Sequence, residues 1–129
     1  MSTNGTTGQG AADTEIAIII GSLRRSARSR DIARHVISYL PQGWRGSVVE
    51  IGDLPLYDAD YDDPAVPDKP LPSQYARFRQ AVRAASGVLF ITPENNRTIP
   101  ACVKNAVDIG SKPGGEQVWT VLPAGVISH

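Results

Sequence analysis

The sequence has one cysteine, no net charge and no long apolar run. One cysteine excludes an internal disulfide and a cysteine-based metal site, and it favours a reducing compartment such as the cytoplasm. The zero net charge gives no electrostatic reason to expect binding to nucleic acid or to an anionic membrane. No apolar stretch approaches the roughly 18 residues that would indicate a membrane-spanning helix.

What remains is the composition of an ordinary globular domain, with 41% hydrophobic and 20% charged residues in 129. Residues 1–13 are rich in Gly, Thr, Ser and Asn, without the basic start and apolar centre of a signal peptide. We therefore expect a disordered tail at 1–13 and one domain at 14–129.

Apolar runs and helical periodicities alternate along that domain. They predict strands at 16–20, 47–51, 88–91 and 124–128, and helices at 29–40, 73–85 and from 100 onward. This alternation indicates a flavodoxin-like, doubly wound α/β fold with a parallel sheet in the order 2-1-3-4. Because a fifth strand and covering helices normally follow, the last strand is expected to be an exposed edge, in either a truncated or an unusually small variant.

A first candidate site lies between the first strand and the first helix, in the sequence GSLRRSARSR at 21–30. Gly21 would permit a tight turn, and the start of a helix offers free N–H groups. Each of the four arginines in this segment opposes the helix dipole by roughly 0.3–1 kcal/mol, and a bound phosphate would reverse that sign. The segment thus predicts a phosphate site, the plainer alternative being a solvated basic loop with Ser29 as N-cap.

A second candidate site follows the third strand, where the apolar run breaks at Pro93 and a helix restarts at Pro100. Open α/β sheets bind ligands at the carboxyl ends of their strands. The two prolines fix φ and stiffen both ends of the loop. The loop is predicted to aim its N–H groups at a planar ligand, the alternative being an ordinary strand-to-helix connection.

Other polar residues have plainer interpretations. The six aspartates of the proline-rich loop at 52–72 lack calcium-loop spacing. That favours a solvated or interface loop over a metal site, with Tyr57 or Tyr61 covering the functional site or a partner. Cys102 falls on the apolar face of its helix, His35 on a polar face, and His129 at the terminus. With no hydrolytic triad or paired carboxylates, an enzyme of this sequence needs a cofactor to carry its chemistry.

Three motifs together resemble the NAD(P)H-dependent FMN reductase family, which includes chromate- and quinone-reducing members. They are GSLR at 21–24, LPLYD at 54–58, and TPENNRTIP at 92–100 followed by KNAVD at 104–108. They occur in the family's order and span most of residues 15–128. The last of them is the most specific.

The resemblance implies a flavodoxin-like fold that binds FMN, usually in a homodimer or homotetramer, with no catalytic side chain and no metal. Flavin would take a hydride from NAD(P)H and pass electrons to small-molecule acceptors, namely quinones, free flavins, azo compounds or metal oxyanions such as chromate. The residues implied for the FMN phosphate are Ser22, Arg24 and Ser29, with Ser26 close by. Those implied for the isoalloxazine ring, largely through backbone groups, are Pro93, Glu94, Asn95 and Asn96.

The chain departs from the family at three places. Asn95 stands where the family usually has Tyr, which removes an aromatic contact worth about 1 kcal/mol or more. Ala27 and Ser29 stand where many members have Ser and Asn. The sequence ends at His129, where the family continues into a glycine-rich flavin-contacting loop. We expect an FMN-dependent NAD(P)H oxidoreductase, the alternatives being a flavodoxin-like electron carrier or flavin-binding module without turnover, and an inactive truncated form.

Overall fold

The computed structural model describes residues 14–24, 27–94 and 97–129. The tail expected at 1–13 lies outside these ranges. Within them, no helix combines the length and apolarity needed to cross a membrane. The elements, in chain order, are β1 Thr14–Ile20, α1 Arg28–Tyr39, β2 Trp44–Val48, a short 3-10 helix Ala59–Asp62, α2 Ser73–Arg83, β3 Gly87–Thr92, α3 Ala101–Gly110 and β4 Ala124–Ser128.

The four strands form one parallel sheet in the order β2-β1-β3-β4, as the alternation of elements predicted. The two central strands carry the most continuous apolar runs, and Ile18, Ile19 and Ile91 are fully buried. In the described sheet β4 pairs with β3 alone, so it lies at an edge, and the Val126 side chain on it is 66% exposed.

Helices cover the two faces of the sheet unequally. The larger core joins β1 and β3 to α2 and α3, with Tyr75, Phe78, Val82 and Ile109 fully buried in it. The smaller core joins the other face to α1, mainly through Ala33. The apolar faces predicted for the three helices therefore do face the sheet. With the helices packed in this way, the loops that follow the strands meet at the carboxyl ends of the strands.

The structure places the second strand three residues earlier than predicted, at Trp44–Val48 instead of 47–51. This edge strand begins where Trp44, which is 45% exposed, pairs with Thr14. The next pair is Glu15 and Arg45, joined by a 2.7 Å salt bridge. Exposed and charged residues at the start of an edge strand give no apolar signal, so hydrophobicity alone located only the last two residues of β2 and extended the strand three residues too far.

The loop between β2 and α2 is folded onto the larger core. The Tyr75 ring lies 5.5 Å from that of Tyr61, edge-on, and 6.5 Å from that of Tyr57, stacked. The Tyr75 hydroxyl donates to the carbonyl of Leu56 at 2.9 Å. Both rings pack against Tyr75 and are half-buried, and the expectation that Tyr57 or Tyr61 covers a site or a partner stays a prediction.

Candidate functional site

The carboxyl ends of β1, β3 and β4 lie side by side. The N–H of Gly21 donates to the carbonyl of Ile91 at 2.8 Å, and the N–H of His129 donates to that of Thr92 at 3.2 Å. A Cβ on residue 21 would lie 2.3 Å from Thr92 Oγ1 and 2.7 Å from its Cβ. Gly21 is therefore required by this close approach, and its φ is not positive.

A cavity of about 460 Å³ opens where these strands end. Its volume falls in the range of small-molecule sites, about 300–1,000 Å³. It contains four of the residues implied by the family resemblance, two from the loop after β1, one from α1 and one from the loop after β3. The lining residues are Ser22, Arg24, Ala27, Arg28, Ser29, Asp31, Pro93 and His129.

The first turn of α1 forms one wall of this cavity. The helix begins at Arg28 with Ala27 as N-cap, and no side chain of the described residues caps it. Ser29 is therefore not the N-cap, as the plainer interpretation had it, but lies inside the first turn. Its side chain is fully buried, and its Oγ lies 2.6 Å from Nε2 of His129. Backbone N–H groups at such a helix start favour an anion.

The three arginines of the 21–30 segment that the structure describes do not act together, and Arg25 lies outside the described residues. Arg30 turns away and forms a bidentate pair with Glu50 at 3.1 and 3.3 Å, a hydrogen bond that raises the pKa of its guanidinium. Arg24 and Arg28 line the cavity and form no salt bridge with any acidic group in the described ranges. Two cations at a helix N-terminus are unfavourable without an anion between them.

The second predicted site is described in part. Pro93 lines the cavity, whereas Glu94 is exposed and does not. Ser26, Asn95 and Asn96 lie outside the described residues. The helix restarts as predicted, with Pro100 as N-cap of α3.

Sequence reasoning missed His129, which was set aside as terminal. The available signal was its position directly after a predicted parallel strand, as for the loops after β1 and β3.

Asn105 joins two of the motifs that carried the family resemblance. Its Oδ1 accepts the N–H of Tyr57 at 2.8 Å, and its Nδ2 donates to the carbonyl of Pro55 at 3.2 Å. The LPLYD segment is thereby fixed to α3. The three motifs thus lie at one end of the sheet, although up to about 80 residues separate them in the sequence.

The remaining candidates lie outside this cavity. Cys102 packs against the larger core, as predicted, and burial raises the pKa of its thiol. His35 is exposed, and its Nδ1 lies 2.8 Å from the carbonyl of Asp31. In the described ranges no three His, Cys, Asp or Glu side chains are placed to hold a metal ion. A second cavity, of about 470 Å³, opens beside Val82 and Leu122 at the amino ends of β3 and β4, where open α/β sheets do not usually bind ligands.

Comparison with known proteins assigns the family. Residues 14–129 match the family model described as NADPH-dependent FMN reductase. The chain belongs to this family. A quinone reductase of Pseudomonas putida is 42% identical over 113 residues, which are 88% of this chain and 58% of that protein. A 2-hydroxy-1,4-benzoquinone reductase of Burkholderia sp. is 38% identical over 113 residues, with the same coverage of 88% and 58%.

Among solved structures, this FMN reductase family member is similar to FerB, a flavoenzyme NAD(P)H:(acceptor) oxidoreductase from Paracoccus denitrificans. The TM-score is 0.79 at 30% identity, over 89% of this chain and 60% of that one. The flavodoxin-like fold is thus shown. The chain spans about three fifths of the length of these relatives.

The described residues fit the phosphate end of FMN, the cofactor of the family. Arg24 and Arg28 supply positive charge without an ion-pair partner in the described part of the chain. Ser29 supplies a fully buried hydroxyl beside them. The helix start adds N–H donors, so the donor set matches a phosphate monoester.

Proposed function

We propose that this protein is an FMN-dependent NAD(P)H oxidoreductase that reduces quinones. The observation that carries the proposal is the cavity at the start of α1, with two cations and a buried hydroxyl at the carboxyl ends of the central strands. Membership of the FMN reductase family and the names of two quinone-reducing relatives support it. Free flavins, azo compounds and chromate are further acceptors within the proposal.

In this proposal Ser22, Arg24 and Ser29 hold the phosphate of FMN, with Ser26 nearby and Arg28 adding charge. Pro93, Glu94, Asn95 and Asn96 support the isoalloxazine ring. FMN, when bound, would supply the redox chemistry: it would accept two electrons and a proton from NAD(P)H as a hydride and deliver the two electrons to the acceptor, with protons exchanged with water. No side chain acts as nucleophile or general acid, and Gly21 and Pro93 hold the two loops in place around the cavity.

The decisive experiment combines a flavin spectrum with an oxidation assay. The purified protein, with and without added FMN, should show flavin absorbance that remains with it through gel filtration. The loaded protein should then oxidise NADH or NADPH when a quinone is present. Protein that carries no flavin and gains none on addition would contradict the proposal.

The same assay separates the enzyme from the second candidate, a flavodoxin-like carrier or flavin-binding module without turnover. The flavodoxin-like sheet and the cavity at the start of α1 are features that a carrier needs as much as an enzyme does, and they are compatible with that candidate. A carrier would bind FMN and exchange electrons with a chemical reductant, but it would not consume NAD(P)H.

Position 95 gives a finer test of the ring site. If the loop after β3 supports the isoalloxazine ring, Asn95→Tyr adds an aromatic surface there and should tighten FMN binding about 5-fold, equivalent to roughly 1 kcal/mol. Fluorescence quenching of FMN measures the change. A variant of Asn105 cannot serve as the control, because Asn105 fixes the LPLYD segment. Gln74→Tyr on α2 is the matched control. Equal affinities of Asn95→Tyr and wild type would contradict a ring contact at position 95.

We further propose a homodimer or homotetramer in the cytoplasm. Leu23, Leu56 and Ile99, on the three loops at the carboxyl edge of the sheet, are 58%, 81% and 43% exposed. Apolar side chains exposed together around a site favour association with another copy. The single cysteine supports a reducing compartment. Light scattering at several protein concentrations tests the assembly.

A further inference from the structure

The contact between His129 and Ser29 joins residues that are 100 positions apart in the sequence. The backbone fixes the position of His129, because its N–H donates to Thr92 at 3.2 Å and so continues the pairing of β4 with β3. The side chain then reaches over the first turn of α1, where Nε2 lies 2.6 Å from the fully buried Oγ of Ser29. Ser29 thus has a defined partner inside the cavity.

Hydrogen-bond accounting gives this contact a direction when an anion is present. A serine hydroxyl has one proton to donate, whereas a dianionic phosphate only accepts. If Ser29 donated to His129, it would offer the phosphate only lone pairs. If Nε2 of His129 carries a proton and donates to Ser29 Oγ, the hydroxyl proton is free to point at the phosphate. The second arrangement is the one that binds.

We propose that His129 is a positioning residue for the phosphate of FMN, which it assists by donating from Nε2 to Ser29 and so turning the Ser29 hydroxyl toward the anion. The proposal rests on the proposed function, since it concerns the same cavity. The charged groups that line this cavity with His129 in the described residues are Arg24, Arg28 and Asp31. Asp31 is also paired with Arg34, one turn further along α1.

Two substitutions of His129 test the donor role, with FMN and riboflavin as the probes. Riboflavin lacks the phosphate and reports on the ring site alone. His129→Ala should weaken FMN binding by about 10-fold and leave riboflavin binding unchanged, because a bond to a charged group loses its orienting donor. His129→Gln, whose side-chain amide also donates, should keep FMN affinity within about 3-fold of wild type.

Rescue by a conservative variant separates positioning from mere packing. The ratio of FMN to riboflavin affinity should fall in His129→Ala and return toward the wild-type value in His129→Gln, because the amide again supplies a donor. His35→Ala is the matched control, since it removes an exposed histidine outside the cavity and should leave the ratio unchanged.

The outcomes are distinct. Equal loss of FMN and riboflavin affinity in His129→Ala would overturn the inference, as would His129→Gln behaving like His129→Ala. If the wild-type protein binds FMN, and His129→Ala leaves the ratio of FMN to riboflavin affinity unchanged, this inference alone is overturned. Wild-type protein that binds neither flavin would overturn the proposed function and this inference with it.

Discussion

Two loops at the same edge of the sheet use their charges in opposite ways. In the loop between β2 and α2, four of the aspartates are paired: Asp53 with Arg77, Asp58 and Asp60 with Lys69, and Asp62 with Arg79. In the loop between β1 and α1, Arg24 and Arg28 have no ion-pair partner in the described ranges.

The comparison separates charge that stabilises the fold from charge available to a ligand. The more highly charged loop in sequence is the acidic one, yet four of its six aspartates are paired with Lys69 or with arginines of α2, and the pairs with these arginines hold the loop against α2. The basic loop places its charges at a helix N-terminus, where they oppose the dipole. Charges left unpaired in an unfavourable position indicate a binding site better than the number of charges does.

The largest expected effect on stability comes from a substitution in the acidic loop between β2 and α2. Asp62 and Arg79 form a bidentate pair at 2.8 Å in which the side chains are 11% and 5% exposed. Asp62→Ala leaves a buried guanidinium without its anion and should lower the free energy of unfolding by about 3–5 kcal/mol. Urea unfolding followed by circular dichroism measures the change. Asp68→Ala, in the same loop but exposed, should stay within about 0.5 kcal/mol of wild type; similar losses in both variants would contradict the contrast.

On the basic side the expected effect is on the ligand. Arg24→Gln or Arg28→Gln should weaken FMN binding by roughly 10- to 100-fold, because a charge-assisted bond to phosphate is lost. Riboflavin affinity should not change. Without ligand, Arg28→Gln should be more stable than wild type by about 0.3–1 kcal/mol, since a cation leaves the helix N-terminus. Lys112→Gln, an exposed cation after α3 and outside the cavity, is the control, and a loss of FMN affinity in it equal to that of Arg24→Gln would refute the assignment.

The smallest expected effect is the loss, at acid pH, of the stability that the pair of Asp53 and Arg77 contributes. Two hydrogen bonds from Arg77 hold the pKa of Asp53 below its usual value. A carboxyl whose pKa is lowered by folding stabilises the protein above its unfolded pKa, about 3.9, and that contribution disappears as pH falls through the lower folded pKa. Wild type should therefore exceed Arg77→Gln in stability by less than about 1 kcal/mol near pH 6, since the pair is half exposed. This difference in stability should vanish in acid. Thermal unfolding of both proteins at several pH values measures it. A difference that does not depend on pH would contradict a stabilising pair of Asp53 and Arg77.

Much of the fold could be predicted because its signals are local. The run at Ile16–Ile20 and the run at Val88–Ile91 are buried on both faces of the sheet, so apolar content alone located β1 and β3. The β4 bounds were predicted correctly as well. The start of β2 was missed because an edge strand needs no apolar residues where a cross-strand ion pair can take their place.

The candidate site was only partly predictable, because it combines residues whose proximity depends on strand order. Ser22 and Arg24 follow β1 directly, so the sequence places them. His129 comes to Ser29 only because β4 joins β3 in the assembled sheet. Arg30 has the same residue type and neighbourhood as Arg28, yet the helix turn directs it to Glu50. The direction of a side chain around a helix start cannot be read from composition.

The structure leaves no room for a Cβ at Gly21, and this restricts which substitutions the site can accept during evolution. Even alanine at position 21 would bring a carbon within 2.7 Å of the Thr92 Cβ. A library that randomises residue 21 alone should therefore yield glycine almost exclusively among folded clones. Variants at this position become accessible only after residue 92 has lost bulk, so the order in which the two substitutions arise decides which sequences selection can reach.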